Sequence, residues 1–179
     1  MPKIRIIPRM DIKNLNLVKT INLDGLRVVG DPNKIAINYY NNSADELLFL
    51  DTVASLYGRN NVGGIISKLS KNVFIPITVG GGIRSLKDAF SMFKSGADKI
   101  AVNTAAIENK VFLNRLSKEF GSQSIVISID AKKMSDNKWR AFINNGRDDS
   151  GLDVVEWSKQ AEDKGAGEIL LTSVDNEGT

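Results

Sequence analysis

The chain has 179 residues, of which 42% are hydrophobic, 25% charged and 7% aromatic, a globular composition that excludes a disordered or low-complexity chain. Its 24 basic and 21 acidic residues leave a net charge of +3 with no basic stripe, which argues against a nucleic-acid surface. The absence of Cys and His excludes disulfides, thiolate nucleophiles, His-dependent triads and most transition-metal sites, leaving acid–base chemistry to carboxylates, Lys or Tyr.

The N-terminal residues 1–13 lack the apolar core and cleavage site of a signal peptide. No apolar run reaches the roughly 18 to 20 residues that span a bilayer. The expectation is a cytoplasmic protein with no membrane partner, no metal and no cofactor. Short aliphatic runs predict strands at residues 4–11, 46–51, 74–79, 99–103, 124–130 and 168–173. Amphipathic stretches between them predict helices near 32–42, 62–71, 85–95, 110–120 and 153–164. Asp31-Pro32 is a helix-start signal, and Ser85 precedes Asp88 at capping-box spacing. Gly96, Gly121 and Gly165 stand where helices end. Strands alternating with helices imply βαβ units and a parallel sheet with helices outside.

The chain also repeats itself. Residues 5–13 (RIIPRMDIK) align with 124–132 (SIVISIDAK), and residues 44–48 (ADELL) align with 166–170 (AGEIL). The copies lie about 120 residues apart, a four-module spacing that implies a (β/α)8 barrel made of two half-barrels. Six strands and five helices fall short of eight of each. The fold expected is therefore an α/β partial TIM barrel in one domain over 1–179. Residues 1–120 form the first half-barrel and 121–179 the start of the second. The chain reads as truncated after strand six, and is expected to be inactive alone.

Active sites of such barrels lie at the carboxyl ends of the strands. Asp11 ends strand one and Asp130 ends strand five, at matching positions of the repeat. Two carboxylates across a barrel mouth suit paired acid–base work, although an Asp in that place also caps turns. Residues 79–85 (VGGGIRS) run from a strand into a helix, a turn that lets backbone amides approach a phosphate. Asn103-Thr104 ends the neighbouring strand. Strand alternation puts Arg5 and Arg9 on the face of Asp11, and Lys99 on that of Asn103. Arg5, Lys99, Glu46 and Glu168 then share the amino end of the interior, where they pair as a closed network, either a stabilising plug or a gate.

Five segments, DELLFLD (45–51), FIPITVGGGIRS (74–85), GADKIAVNTAA (96–106), FGSQSIVISIDAK (120–132) and GAGEILLTSVDNEGT (165–179), resemble the cyclase subunit of imidazole glycerol phosphate synthase, the HisF family. The resemblance covers essentially the whole chain. It implies an ammonia-dependent lyase of histidine biosynthesis, partnered as a heterodimer by a glutaminase subunit. Ammonia would pass through the barrel to a phosphorylated ribulosyl-aminoimidazole substrate, giving imidazole glycerol phosphate and an aminoimidazole ribotide. Asp11 would be the general base and Asp130 the general acid. Gly82, Asn103 and Thr104 would hold a substrate phosphate, with Lys19 on the loop after strand one. Arg5, Glu46, Lys99 and Glu168 would form the ring through which ammonia enters.

The chain departs from that family in places. Arg9-Met10 stands where the family usually has Cys-Leu, and a guanidinium there is expected to lower the pKa of Asp11 and narrow the ammonia path. Residues 14–27 and 54–61 look closer to paralogues that amidate sugars for surface polysaccharides, and Glu177 stands where the histidine enzyme generally has Asp. A sugar-amidating synthase subunit is thus the second reading, and a non-catalytic half-barrel scaffold the third.

Overall fold

The computed structural model describes residues 4–54 and 62–179; residues 55–61 of the second divergent loop lie outside them. Ten strands form one sheet: β1 (Arg9–Lys13), β2 (Asn16–Ile21), β3 (Asp24–Gly30), β4 (Leu47–Asp51), β5 (Ile77–Gly80), β6 (Lys99–Val102), β7 (Ile125–Lys133), β8 (Trp139–Ile143), β9 (Asp148–Asp153) and β10 (Glu168–Ser173). The helices are α1 (Pro32–Asn41), α2 (Val62–Leu69), α3 (Leu86–Lys94), α4 (Thr104–Glu108), α5 (Lys110–Phe120) and α6 (Val154–Asp163). Six strands run parallel side by side in the order β1, β4, β5, β6, β7, β10. These are the strands expected from the sequence, arranged as a partial TIM barrel.

The two faces of this parallel sheet differ in chemistry, as the period-two alternation of strands requires. Met10, Ile12, Leu47, Phe49, Ile77, Val79, Ile100, Val102, Ile125, Ile127 and Ile129 point to the helices. They pack there with Ala36, Ile66, Leu113, Leu116 and Trp157 into one apolar core. The opposite face carries Arg9, Asp11, Glu46, Thr78, Lys99, Ser128 and Asp130. The helix starts at Asp31 and Ser85 follow the expected signals, and Asp153 caps a third helix in the same way. Asp31 accepts from the Lys34 amide, Ser85 from Asp88, and Asp153 from both Val155 and Glu156, each cap satisfying amides that the first helical turn leaves without partners. Around Ser85 the Asp88 carboxylate answers the cap in a variant of the capping box, accepting from the Ser85 hydroxyl at 2.8 Å and from the amide of the preceding residue, Arg84, at 3.1 Å.

Among the described residues, four strands and one helix exceed the expected set. The stretch 14–27, read as a loop, is the hairpin β2–β3, antiparallel to the end of β1. A second hairpin, β8–β9, extends the end of β7. Both turns carry left-handed residues, Asn22 and Leu23 in one, Asn144, Asn145 and Gly146 in the other, as tight hairpins demand. The short α4 begins at Thr104. Strand one begins at Arg9 rather than at residue 4, because Pro8 has no amide to continue the ladder. The chain before it still runs beside β4, and the Pro8 carbonyl accepts from the Leu48 amide at 3.0 Å.

Leu113 is fully buried on α5, whereas Val111 on the same helix is 64% exposed. Leu113→Ala is expected to cost about 2–5 kcal/mol through the cavity it leaves. Val111→Ala is expected to stay within about 0.5 kcal/mol. Urea unfolding of the two variants checks the contrast, and equal losses would contradict this placement of the core.

Candidate active site

A cleft open to solvent lies at the carboxyl ends of the parallel strands. Its walls come from Arg9, the ends of β4 to β7 and the turns beyond them, with Gly81, Gly82, Arg84, Asn103, Thr104 and Asp130 among the lining residues. The glycine turn is there for a steric reason. Gly81 has φ +94°, and a Cβ on it would lie 2.3 Å from the Asp51 carbonyl oxygen. No other residue fits, because the backbone passes directly against the end of β4.

Asp130 lines the cleft, and Asp11 sits beside Arg9 on the same interior face. Arg9 Nε donates to Asp11 Oδ1 at 2.9 Å, while its Nη1 donates to the Thr172 hydroxyl at 2.9 Å. Thr172 on β10 is the register partner of Asp130 on β7. One guanidinium thus joins β1 to the far side of the curled sheet and lies between the two carboxyl groups. Asp11 and Asp130 are both buried. Burial raises the pKa of Asp11, with Arg9 opposing by charge and hydrogen bond and Glu177 adding to the rise. Burial likewise pushes Asp130 up to about 6; Arg9 and the Asn103 hydrogen bond oppose it, and the charge of Asp11 adds to it. The expectation that Arg9 leaves Asp11 with a lowered pKa is therefore corrected. Desolvation exceeds the pull of the guanidinium.

The remaining candidates fall into three groups. Asn103 sits against Asp130, but its amide nitrogen already donates to Asp130 Oδ2 and to the Phe142 carbonyl, each at 3.1 Å. Its N–H groups are thus directed at the protein, which is not the arrangement expected of a phosphate donor. Thr104 accepts from the Asn144 amide at 3.1 Å and keeps its own hydroxyl proton to give. Lys19 is exposed on β2 and is not a lining residue, so the structure does not bring it to the others. At the amino end of the interior, Arg5, Glu46, Lys99 and Glu168 form the closed ring expected of them. Lys99 Nζ lies 3.1 Å from Glu46 and 2.6 Å from Glu168, while Arg5 pairs with Glu46 and lies 3.8 Å from Glu168. Each anion meets both cations, which offsets the desolvation that would make Glu46, only 5% exposed at its side chain, costly alone.

Several residues of the cleft escaped sequence reasoning. Asp51, Thr52, Ser128 and Asn145 line it. Asp51 ends β4 and was findable by the strand-end rule, and Ser128 stands two positions before Asp130 on the same face; Asp11 and Asp130, expected at strand ends, instead lie where β1 and β7 run on into their hairpins. Glu177 holds the β2–β3 turn. Its carboxylate accepts from the Thr20 hydroxyl at 3.0 Å and the Leu23 amide at 2.9 Å, and its carbonyl accepts from the Asn22 amide at 2.9 Å. Asn145 also reaches this turn, donating to the Leu23 carbonyl at 3.3 Å.

Comparison with known proteins bears on this site. The family described as "Histidine biosynthesis protein" matches residues 5–179. The chain is 54% identical over its whole length to the imidazole glycerol phosphate synthase subunit HisF of Legionella pneumophila, covering 84% of that protein. It is 46% identical over 98% of its length to the subunit of the same name from Bacillus cereus strain Q1, covering 69% of it. The strain AH187 protein matches to the same extent. No helix among the described residues is long and apolar enough to cross a membrane.

Between the ordinary carboxylate value and about 6, native Asp130 holds a proton that the unfolded chain releases. Its contribution to stability is thus present at low pH and is lost as pH rises from about 4 through about 6, a fall of roughly 3 kcal/mol at most. Asp130→Asn is expected to remove that fall. Urea midpoints of protein and variant between pH 4 and pH 7 should diverge in favour of the variant as pH rises, and parallel curves would contradict the burial argument.

Proposed function

This chain belongs to the family of histidine biosynthesis proteins, and we propose that it acts as the cyclase subunit of an imidazole glycerol phosphate synthase. It is a subunit of a complex, and the partner we assign to it is a glutaminase that supplies ammonia. The observation that carries this reading is the pairing of two buried carboxyl groups at one end of the interior with a closed charge ring at the other. Ring and carboxylates share one lumen, as a reaction needs when a small neutral nucleophile enters from behind a bound substrate.

In this reading Asp130, whose hold on a proton is strengthened by burial, serves as general acid, and Asp11 serves as general base. Their different surroundings separate the two roles, as paired acid–base work requires. The backbone of the 81–84 turn, Gly82 above all, holds one phosphate of the ribulosyl-aminoimidazole substrate together with the Thr104 hydroxyl. Asn103 acts there by orienting Asp130, and its part in phosphate binding follows from the resemblance alone. Lys19 serves from the β2–β3 hairpin, which must turn it toward the substrate. Arg5, Glu46, Lys99 and Glu168 admit ammonia, passing a neutral molecule between their pairs while excluding ions. Residues 1–120 and 121–179 correspond to successive half-barrel units, each contributing one of the two acids.

Asp11→Asn and Asp130→Asn are each expected to lower ammonium-supplied turnover by roughly 10²- to 10⁴-fold, the range for a positioned acid or base, while unfolding remains cooperative. Both tests use the full-length gene, which should restore growth without histidine to a bacterial strain lacking its own cyclase, and either variant should not. Soluble expression without rescue would contradict the reading.

A further inference from the structure

The interior position next to Asp11 holds a charge that the roles above leave unused. Arg9 has 22% of its side chain exposed, lines the cleft, and is fixed at two points on opposite sides of the lumen, Asp11 on β1 and Thr172 on β10. The two carboxyl groups therefore face different partners. Asp11 receives a full positive charge at hydrogen-bond distance, whereas among the described residues Asp130 is hydrogen-bonded by the neutral Asn103 amide and Arg9 acts on it by charge without a hydrogen bond. A buried acid in contact with a guanidinium gives up its proton more readily than one bonded to an amide, because the ion pair stabilises only the charged form.

We propose that Arg9 is a positioning residue that decides which of the two interior acids carries the charge, holding Asp11 as the carboxylate and leaving the proton on Asp130. The inference rests on the cyclase reading for its catalytic sense, but the ordering of charge stands on the geometry by itself. The other charged groups facing the pair are Glu177, which bears on Asp11 from the C-terminal turn, and Asp51 and Arg84 on the cleft wall. None of them is bonded to either carboxyl group in the way Arg9 is bonded to Asp11. Thr172 has a part in this, since it anchors the guanidinium at the far side and keeps it between the acids. Arginine at this place thus rescues the ionised state of a buried base. Two donors in a fixed planar fork reach both anchors at once, a geometry that Lys reproduces only at one of them.

Carbon-13 carboxyl titration of the whole protein, with Arg9→Gln, Arg9→Lys and Thr172→Val, tests this directly. In the unaltered protein Asp11 should titrate below Asp130. Arg9→Gln should raise the Asp11 midpoint by at least about one pH unit, Arg9→Lys should restore much of the difference, and Thr172→Val should give a smaller shift of the same sign. Thermal unfolding identifies any variant that fails to fold, in which case Arg9→Lys and Thr172→Val carry the comparison. An Asp11 midpoint unmoved in folded Arg9→Gln, or an unaltered protein in which Asp130 ionises first, would overturn the proposal. Ammonium-supplied turnover in the same preparations separates the two levels. An active enzyme with an unmoved Asp11 overturns the role of Arg9 alone, whereas an inactive unaltered protein expressed from the full-length gene overturns the cyclase reading and the catalytic sense given to Arg9.

Discussion

Taking Asp11 and Asp130 out of water is the constraint around which the rest of the molecule is arranged. A carboxylate loses solvation on entering a low-dielectric site, and only a partner that favours the charged form offsets the loss. The two acids are buried to the same degree and have different partners, an arginine in contact for one and an asparagine amide for the other. That difference lets one lumen contain both a proton acceptor and a proton donor. A stable fold alone gives no reason to keep either group.

The parallel sheet supplies the geometry. Its outward residues belong to the apolar core under the helices, so alternation directs every second side chain into the lumen, including Arg9, Asp11, Lys99, Ser128 and Asp130. Charged groups then separate by level. Those on the first interior residues of their strands meet at the amino end and neutralise one another as Arg5, Glu46, Lys99 and Glu168. Those at the ends of strands open onto the cleft. The hairpins β2–β3 and β8–β9 rise from the same carboxyl ends, and Glu177 and Asn145 tie the first hairpin to the C-terminal turn and to the second hairpin. Of the two hairpins, β8–β9 contributes Asn145 to the cleft wall.

Much of this was legible in the sequence. The six parallel strands, their helices and the caps at Asp31 and Ser85 follow from aliphatic runs and short polar side chains, which act locally. The charge ring was legible because strand alternation and the internal repeat place four residues at one level without any need for coordinates. The hairpins were not read as strands, because β3 and β9 are largely exposed and carry no apolar alternation; their signal lay in the turns, Asn-Leu-Asp-Gly at 22–25 and Asn-Asn-Gly at 144–146. The protonation of Asp11 was misjudged for another reason. The charge of Arg9 is visible in sequence, but the depth of burial that outweighs it depends on how the sheet curls. Asn103 likewise reads as an open amide until the β8 carbonyl at Phe142 is brought against it.

The account depends most on a single cleft bringing phosphate turn and paired acids to one substrate. A crystal structure with the phosphorylated ribulosyl-aminoimidazole compound bound tests this most directly. One phosphate should rest on the backbone amides of residues 81–84, with the reacting atoms within hydrogen-bond reach, about 3 Å, of both Asp11 and Asp130 once the site has closed. A ligand whose phosphate lies away from that turn, or whose reacting atoms are out of reach of either acid, would contradict it.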